Sequence, residues 1–164
     1  MKNMMLQVRN FKVLALCTLL LLAAGCKKDK DNEPSSISGN VSKPTWTVPA
    51  DYDLSSSMTA IVKVDMTRAY TQEQLKAANY RITSDDLLAA FCGSTCIGIG
   101  TWKEDYNAYW LFIAAPESGD QVTLKYYSSA LRNIFAADPV PYRNNTSLGS
   151  PSNPYTPQTW VVAK

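Results

Sequence analysis

Four cysteines, 14 acidic residues and no histidine set the chemistry that is open to this 164-residue chain. Without histidine, a Ser-His-Asp or Cys-His catalytic pair and a His-ligated zinc site are excluded. Asp51 and Asp53 could contribute to a Ca²⁺ site, and Glu104 or Asp105 with a second acid could serve a glycosidase. The chain has no glycine-rich phosphate loop and no nucleophile elbow. We therefore predict no catalytic residues, no metal and no cofactor, with a hydrolase as the minor alternative.

Aromatic side chains are candidates for ligand contacts, because the chain has four tryptophans and nine tyrosines. Aromatic rings stack on sugars and planar ligands, and tryptophan and tyrosine concentrate at binding hot spots. Trp102 follows Gly98 and Gly100 on one predicted strand face, where the glycines would leave a shallow floor beside the indole. We predict a ligand platform made from Trp102, Tyr127, Tyr142 and Tyr155. The alternative is that these rings fill the core of a small β-domain.

The first 25 residues have the pattern of a signal peptide. A basic stretch precedes an apolar run at residues 13–24, which is shorter than the about 20 apolar residues of a membrane span. The run ends in LAAGC at residues 22–26. This sequence resembles the bacterial lipobox, in which the cysteine is diacylated and becomes the mature N-terminus. We therefore predict lipidation at Cys26 and anchoring in a membrane; ordinary secretory cleavage with an incidental Cys26 is the alternative.

Residues 26–44 are charged or polar and lack apolar periodicity, which is typical of a flexible, solvated tether. The charged, aspartate-containing run behind Cys26 also resembles the surface-export signal of lipoproteins from Bacteroides-type bacteria. This resemblance implies an outer-membrane lipoprotein displayed on the cell surface, with a periplasmic orientation as the alternative. Three of the 16 basic residues and none of the 14 acidic ones precede Cys26, so the chain from there onward has a net charge of −1. The concentrated basic face of a nucleic-acid-binding protein is therefore not expected.

Cys92 and Cys96 flank Gly93-Ser94-Thr95, a three-residue connection that suits a tight β-hairpin. Facing positions of such a hairpin can bring two Cα atoms within the roughly 4.4–6.8 Å that a disulfide requires. The bacterial envelope is oxidising, so we predict a structural disulfide between these two cysteines. A redox-active pair is the alternative, although it would lack the Cys-x-x-Cys spacing and a nearby base.

From about residue 45 to 164, apolar residues alternate with polar ones more often than they follow a helical period. Predicted strands cover residues 58–66, 87–92, 96–102, 108–114, 121–127 and 159–163. The run 108–114 is apolar on both faces, which predicts a central strand covered on both sides. Several short strands separated by turns favour an antiparallel β-sandwich over residues 45–164.

Two further segments depart from the strand pattern. Thr71, followed by Glu73 and Gln74, predicts one short capped helix over residues 71–79. Five of the nine prolines fall in residues 136–158, so no central strand is expected there. An irregular segment of this length is usually functional or wrapped along the surface, and we favour wrapping.

The segment 86–100 resembles a recurring β-hairpin of Bacteroides-type surface proteins. In that family an aspartate opens an apolar strand ending in Ala-Phe, a glycine turn follows, and a Cys-Arg-Gly-Val-Ala strand returns. The matching positions are Asp86, Ala90, Phe91, Gly93, Cys96 and Gly98. Thr95 and Ile97 stand where the family has Glu and Arg, so a contact made by that pair is absent here. The family consists of non-catalytic β-sandwich modules, so the resemblance implies fold and surface context but no particular ligand.

These features predict a membrane-anchored, non-catalytic binding module that assists the capture of a glycan or a small nutrient. The alternative is a structural or adhesive envelope protein whose partner is another protein. A nucleic-acid partner is not expected.

Overall fold

Two β-sheets and one short helix make up the part of the chain that the computed structural model describes, residues 36–52, 54–114 and 121–164. The predicted signal peptide, the predicted lipidation site Cys26, the tether up to residue 35, Asp53 and the turn predicted after Ala114 lie outside the described residues. Within the described residues, no helix is long and apolar enough to cross a membrane.

The two sheets have the strand orders β4-β5-β1-β9 (sheet A) and β10-β7-β6-β2-β3 (sheet B), and β8 pairs with the start of β6. The strands are β1 (Met58–Val62), β2 (Leu87–Cys92), β3 (Thr95–Ile99), β4 (Thr101–Lys103), β5 (Ala108–Ile113), β6 (Gln121–Ser128), β7 (Asn133–Ala137), β8 (Val140–Pro141), β9 (Ser147–Leu148) and β10 (Trp160–Val162). The named strands pair antiparallel except for β9, which runs parallel to β1. The prediction of a mainly β, sandwich-like fold is confirmed.

Alternation along the strands decides which side chains enter the core between the sheets. Val122, Leu124 and Tyr126 of β6 are buried as predicted, and Met58 and Ala60 of β1 are buried in the same way. The Tyr126 ring lies at the centre of this core. Its centroid is 6.4 Å from the rings of Tyr109 and Phe135 and 6.0 Å from that of Trp160. These aromatic rings therefore connect the two sheets across the core.

The predicted short helix is confirmed as α1 (Gln72–Ala77), and its start follows from local hydrogen bonding. Gln74 N–H donates to Thr71 Oγ1 at 3.3 Å, and Thr71 N–H donates to Gln74 Oε1 at 2.9 Å. This reciprocal pair is a capping box, which satisfies two backbone donors that a helix start leaves free. Leu75 is the buried residue of the helix and attaches it to the core.

The close approach of β3 to β5 depends on glycine. A Cβ at Gly98 would lie 2.7 Å from the Phe112 carbonyl oxygen, so the missing side chain lets the two backbones meet. Ala114 N–H also donates to the Ile97 carbonyl at 2.8 Å. The glycine floor predicted beside Trp102 is therefore not open at Gly98, because β5 occupies that space.

An N-terminal strap, residues 37–48, crosses sheet B and includes the last part of the predicted tether. Gly39 N–H donates to the Leu131 carbonyl at 2.8 Å, and Val41 N–H donates to the Arg132 carbonyl at 2.9 Å. Further along the strap, the Trp46 ring meets the Phe91 ring edge-on at 5.4 Å. Gly39 and Val41 thus bond to the turn between β6 and β7, and the packed part of the chain begins before residue 45.

Within the proline-rich segment 136–158, the part from Thr146 to Tyr155 runs beside β1. Thr59 N–H donates to the Thr146 carbonyl at 2.9 Å, and Tyr155 N–H donates to the Ile61 carbonyl at 2.8 Å. Lys63 N–H in turn donates to the Tyr155 carbonyl at 2.8 Å. The segment therefore uses its non-proline backbone groups to pair with the edge of sheet A, which is the wrapped arrangement.

Candidate functional site

The predicted disulfide between Cys92 and Cys96 is wrong: both are free thiols in the structure. The turn contains two residues, not three, so Cys92 pairs with Thr95 and Phe91 pairs with Cys96, and a β-bulge follows between Phe91 and Ala90. Cys92 packs against the core between the sheets, whereas Cys96 packs with Phe91 on the outer face of sheet B. The two thiols therefore lie on opposite faces of the hairpin, because successive strand residues point to opposite sides.

Alkylation of the protein under denaturing conditions without a reductant should label both Cys92 and Cys96. Under native conditions Cys92, which is half-buried, should react before Cys96, which is buried. Burial raises the pKa of the Cys96 thiol, so its reactive thiolate is scarcer. Mass spectrometry of the peptide that contains both residues measures each step. An unlabelled peptide lacking two hydrogens would reveal a disulfide and contradict the hairpin register.

The four aromatic residues predicted as a ligand platform lie on different parts of the sandwich. Tyr142 is 1% exposed, and its hydroxyl donates to the Ser56 carbonyl at 2.6 Å. Tyr127 is 6% exposed and lies on β6. Neither ring offers a face for stacking on a ligand, because packing of the small sandwich encloses both.

The other two predicted platform residues are half-buried and pack against the core. The Trp102 ring lies 5.0 Å from the Tyr109 ring, and the two are tilted by 58°. Tyr155 is attached to β1 through its backbone and forms an isolated bridge with Val62. These four rings do not form a common surface.

An exposed aromatic surface instead lies on the outer face of sheet A. The prediction that β5 is covered on both sides is wrong, because Phe112 is 65% exposed. Tyr109, Leu111 and Ile113 of β5 point into the core, so Trp110 and Phe112 point outward. We name Tyr106, Trp110 and Phe112 the aromatic face.

Tyr106 joins this face through a tight turn before β5. Residues Glu104–Tyr106 form a single 3₁₀ turn, which ends at Asn107 in the left-handed conformation, φ 48°. Asparagine tolerates this conformation better than most residues. The turn brings the Tyr106 ring to 5.3 Å from the Trp110 ring, with 41° between their planes, and leaves Tyr106 46% exposed.

Polar side chains surround the aromatic face. Thr101 pairs with Trp110 across β4 and β5, and Thr59 pairs with Phe112 across β1 and β5, so both threonines share their partners' face. Glu104 and Asp105 are exposed in the turn that carries Tyr106. The indole N–H of Trp110 is buried and has no hydrogen-bond partner among the described residues, so it does not belong to this polar border. Exposed rings are thus combined with hydroxyl and carboxylate groups at their border.

The spacing of Trp110 and Phe112 along the chain indicates this face, which was not among the predicted sites. Trp110 and Phe112 are two residues apart, which places them on the same side of a strand. Because the alternating positions Tyr109, Leu111 and Ile113 are equally apolar, hydrophobicity could not tell which side is covered. Tyr106 joins them only through the turn geometry.

A buried polar cluster lies at the start of β2, around Asp86, which is 4% exposed. Its Oδ1 accepts from Ser129 N–H at 2.8 Å and from Ser129 Oγ at 2.6 Å, and its Oδ2 accepts from the Tyr126 hydroxyl at 2.5 Å. Thr83 N–H and Oγ1 also donate to the carboxylate, each at 3.2 Å. A buried carboxylate with this many donors is satisfied, and it joins the loop before β2 to the turn after β6.

Burial controls the protonation of the tyrosines around this cluster. Desolvation raises the pKa of Tyr126 and of Tyr80, so both remain neutral hydroxyls at physiological pH. Their hydroxyl oxygens are 3.3 Å apart. The cluster is thus a chain of neutral donors that ends on one carboxylate.

Among the described residues, no group of three or more cysteine, histidine or acidic side chains is placed to hold a metal ion. Comparisons with protein-family models, curated proteins and solved structures found no match for this chain. The function is therefore argued from the residues and their geometry.

Proposed function

We propose that this chain is a lipid-anchored envelope protein that acts as a non-catalytic binding module, and that its aromatic face holds a glycan. The observation that carries the proposal is the exposure of Phe112 beside the Tyr106–Trp110 ring pair. Large exposed rings on an otherwise paired sheet mark an interaction surface, because a monomer gains nothing from leaving them in water.

The chemistry of the border favours a sugar over a purely apolar ligand. A pyranose presents C–H groups on its faces and hydroxyls at its edge, so it requires aromatic rings flanked by hydrogen-bonding groups. Thr59, Thr101, Glu104 and Asp105 supply such groups around the rings. Trp110 and Phe112 are separated by about 7 Å along the strand, which suits contact with more than one sugar unit.

The membrane anchor rests on the sequence at residues 13–26, where an apolar run ends in Gly25-Cys26. More than one acyl chain on this cysteine would hold the protein firmly, since one chain alone gives marginal binding. Metabolic labelling with an alkyne fatty acid should label the wild-type protein, and the Cys26→Ala variant should lose the label. Equal labelling of both would contradict the anchor.

Retardation in affinity gels tests glycan binding directly. The full chain should be retarded by at least one member of a panel of plant, host and bacterial polysaccharides, and the variant Trp110→Ala/Phe112→Ala should migrate freely in the same gel. The control is Val161→Ala, which removes an exposed apolar side chain from sheet B. No retardation across the panel, or equal retardation of the double variant, would contradict the proposal.

A protein partner is the second candidate, favoured by one observation. The edge strand β10 contains Val161 and Val162, which are 61% and 48% exposed. An open edge with apolar residues can accept a strand from another chain. A structural or adhesive role predicts that Val161→Lys abolishes cross-linking to an envelope protein, whereas the glycan proposal predicts normal gel retardation of the same variant.

A further inference from the structure

A cavity of about 290 Å³ opens between β8 and β9, apart from the aromatic face. This volume is near the lower end of the roughly 300–1,000 Å³ range of ligand pockets. Apolar side chains form one part of its wall: Met58, Val140 and Leu148 all belong to the core or pack against it. The cavity is therefore an indentation into the core at the end of the sandwich.

Polar residues of the β8–β9 loop form the other part of the wall. Arg143, Thr146 and Ser147 line the cavity, and the Thr146 hydroxyl donates to the Arg143 carbonyl at 2.8 Å, which fixes the loop backbone. No acidic residue is among the described residues that line it. Across residues 36–52, 54–114 and 121–164, the ion pairs are Lys43–Asp85 and Arg68–Asp65, so Arg143 has no acidic partner there.

We propose that this cavity binds a small organic anion, a carboxylate attached to a short alkyl or aryl group. The guanidinium of Arg143 pairs with the carboxylate, since this group matches the two oxygens with parallel N–H donors. The apolar group of the ligand lies against Met58 and Leu148. One cation beside an apolar wall, with no acid among the described residues of the lining, selects for this combination of charge and hydrophobic surface.

A larger depression of about 730 Å³ also holds an arginine, Arg81, and provides a contrast. Its wall includes the carboxylate-bearing Asp85, and its Thr83 and Ser129 hydroxyls already bond to Asp86. It has neither a buried apolar wall nor free hydroxyl donors from these two residues. Arg81 is therefore a matched control for the charge of Arg143.

Methyl NMR of the full chain in lipid nanodiscs, labelled at the methionine methyl groups, tests the proposal with hexanoate as the probe. Hexanoate should shift the Met58 resonance saturably and leave that of Met66, which does not line the cavity, unchanged. Hexan-1-ol, which lacks the charge, should bind about tenfold more weakly. Arg143→Gln should weaken hexanoate binding by about the same factor, and Arg81→Gln should leave it unchanged.

Three results would overturn the proposal. These are the absence of a saturable Met58 shift, equal affinities for hexanoate and hexan-1-ol, and equal effects of Arg143→Gln and Arg81→Gln. The Met66 resonance confirms in each sample that the variant is folded, and empty nanodiscs give the contribution of probe partitioning. The aromatic-face variant Phe112→Ala should bind hexanoate as the wild type does, which separates this cavity from the proposed glycan surface.

Discussion

Replacing Asp86 with alanine should lower the free energy of unfolding by about 3–5 kcal/mol. The carboxylate accepts hydrogen bonds from Tyr126, Ser129 and Thr83, and it is almost completely buried. Alanine leaves these donors without an acceptor in a place that water does not reach, and each unsatisfied donor costs about 1–3 kcal/mol. Urea unfolding followed by tryptophan fluorescence measures the change.

Asp85 is the matched control for this experiment. It precedes Asp86 directly, but it is exposed and forms a surface ion pair with Lys43 at 3.3 Å. Asp85→Ala should change the free energy of unfolding by less than about 1 kcal/mol, because exposed ion pairs contribute little. Asp86→Asn keeps one acceptor oxygen, so its effect should fall between the two. Similar losses for Asp85→Ala and Asp86→Ala would contradict the role assigned to the cluster.

Gly149→Ala should destabilise the protein by about 2–5 kcal/mol. Gly149 has φ +79°, where an alanine is strained, and its Cβ would collide with Tyr155 N and Ile61 O. These two atoms form the 2.8 Å hydrogen bond that holds the proline-rich segment against β1. The substitution should therefore displace this segment from sheet A.

The variant Gly93→Ala distinguishes the two causes of that loss, which are backbone strain and steric collision. It also has a positive φ, +58°, but a Cβ there would meet no atom within 4 Å. Gly93→Ala should thus cost only the conformational strain, about 1–2 kcal/mol. Thermal or urea unfolding should show a further loss of about 1–3 kcal/mol for Gly149→Ala, which is the steric part. Equal losses at both positions would mean that the contact of the segment with β1 does not depend on this close approach.

Much of the fold follows from local patterns that the sequence displays. The alternation in β6 predicts Leu124 and Tyr126 as core residues, and the capping residues Thr71 and Gln74 predict the start of α1. These features depend on neighbours within a few residues, so a single sequence contains the information for them.

Features that depend on strand register or on partners distant in the sequence could not be predicted from such local patterns. A turn shorter by one residue moves Cys96 away from Cys92, because a one-residue shift exchanges the two faces of a strand. Asp86 is predicted only as the residue that opens a strand, yet its donors Tyr126 and Ser129 are about 40 positions away in the sequence. The exposure of Phe112 depends on what covers sheet A, which no local pattern states.

The aromatic face on sheet A is the proposed glycan-binding surface. Isothermal titration of a retarding glycan against the wild type, Phe112→Ala and Val161→Ala tests it most directly. Both variants remove an exposed apolar side chain, so neither should disturb the core. Phe112→Ala should weaken binding by about tenfold or more, as expected for an aromatic hot spot, and Val161→Ala should bind as the wild type does. Unchanged affinity in Phe112→Ala would contradict the proposal.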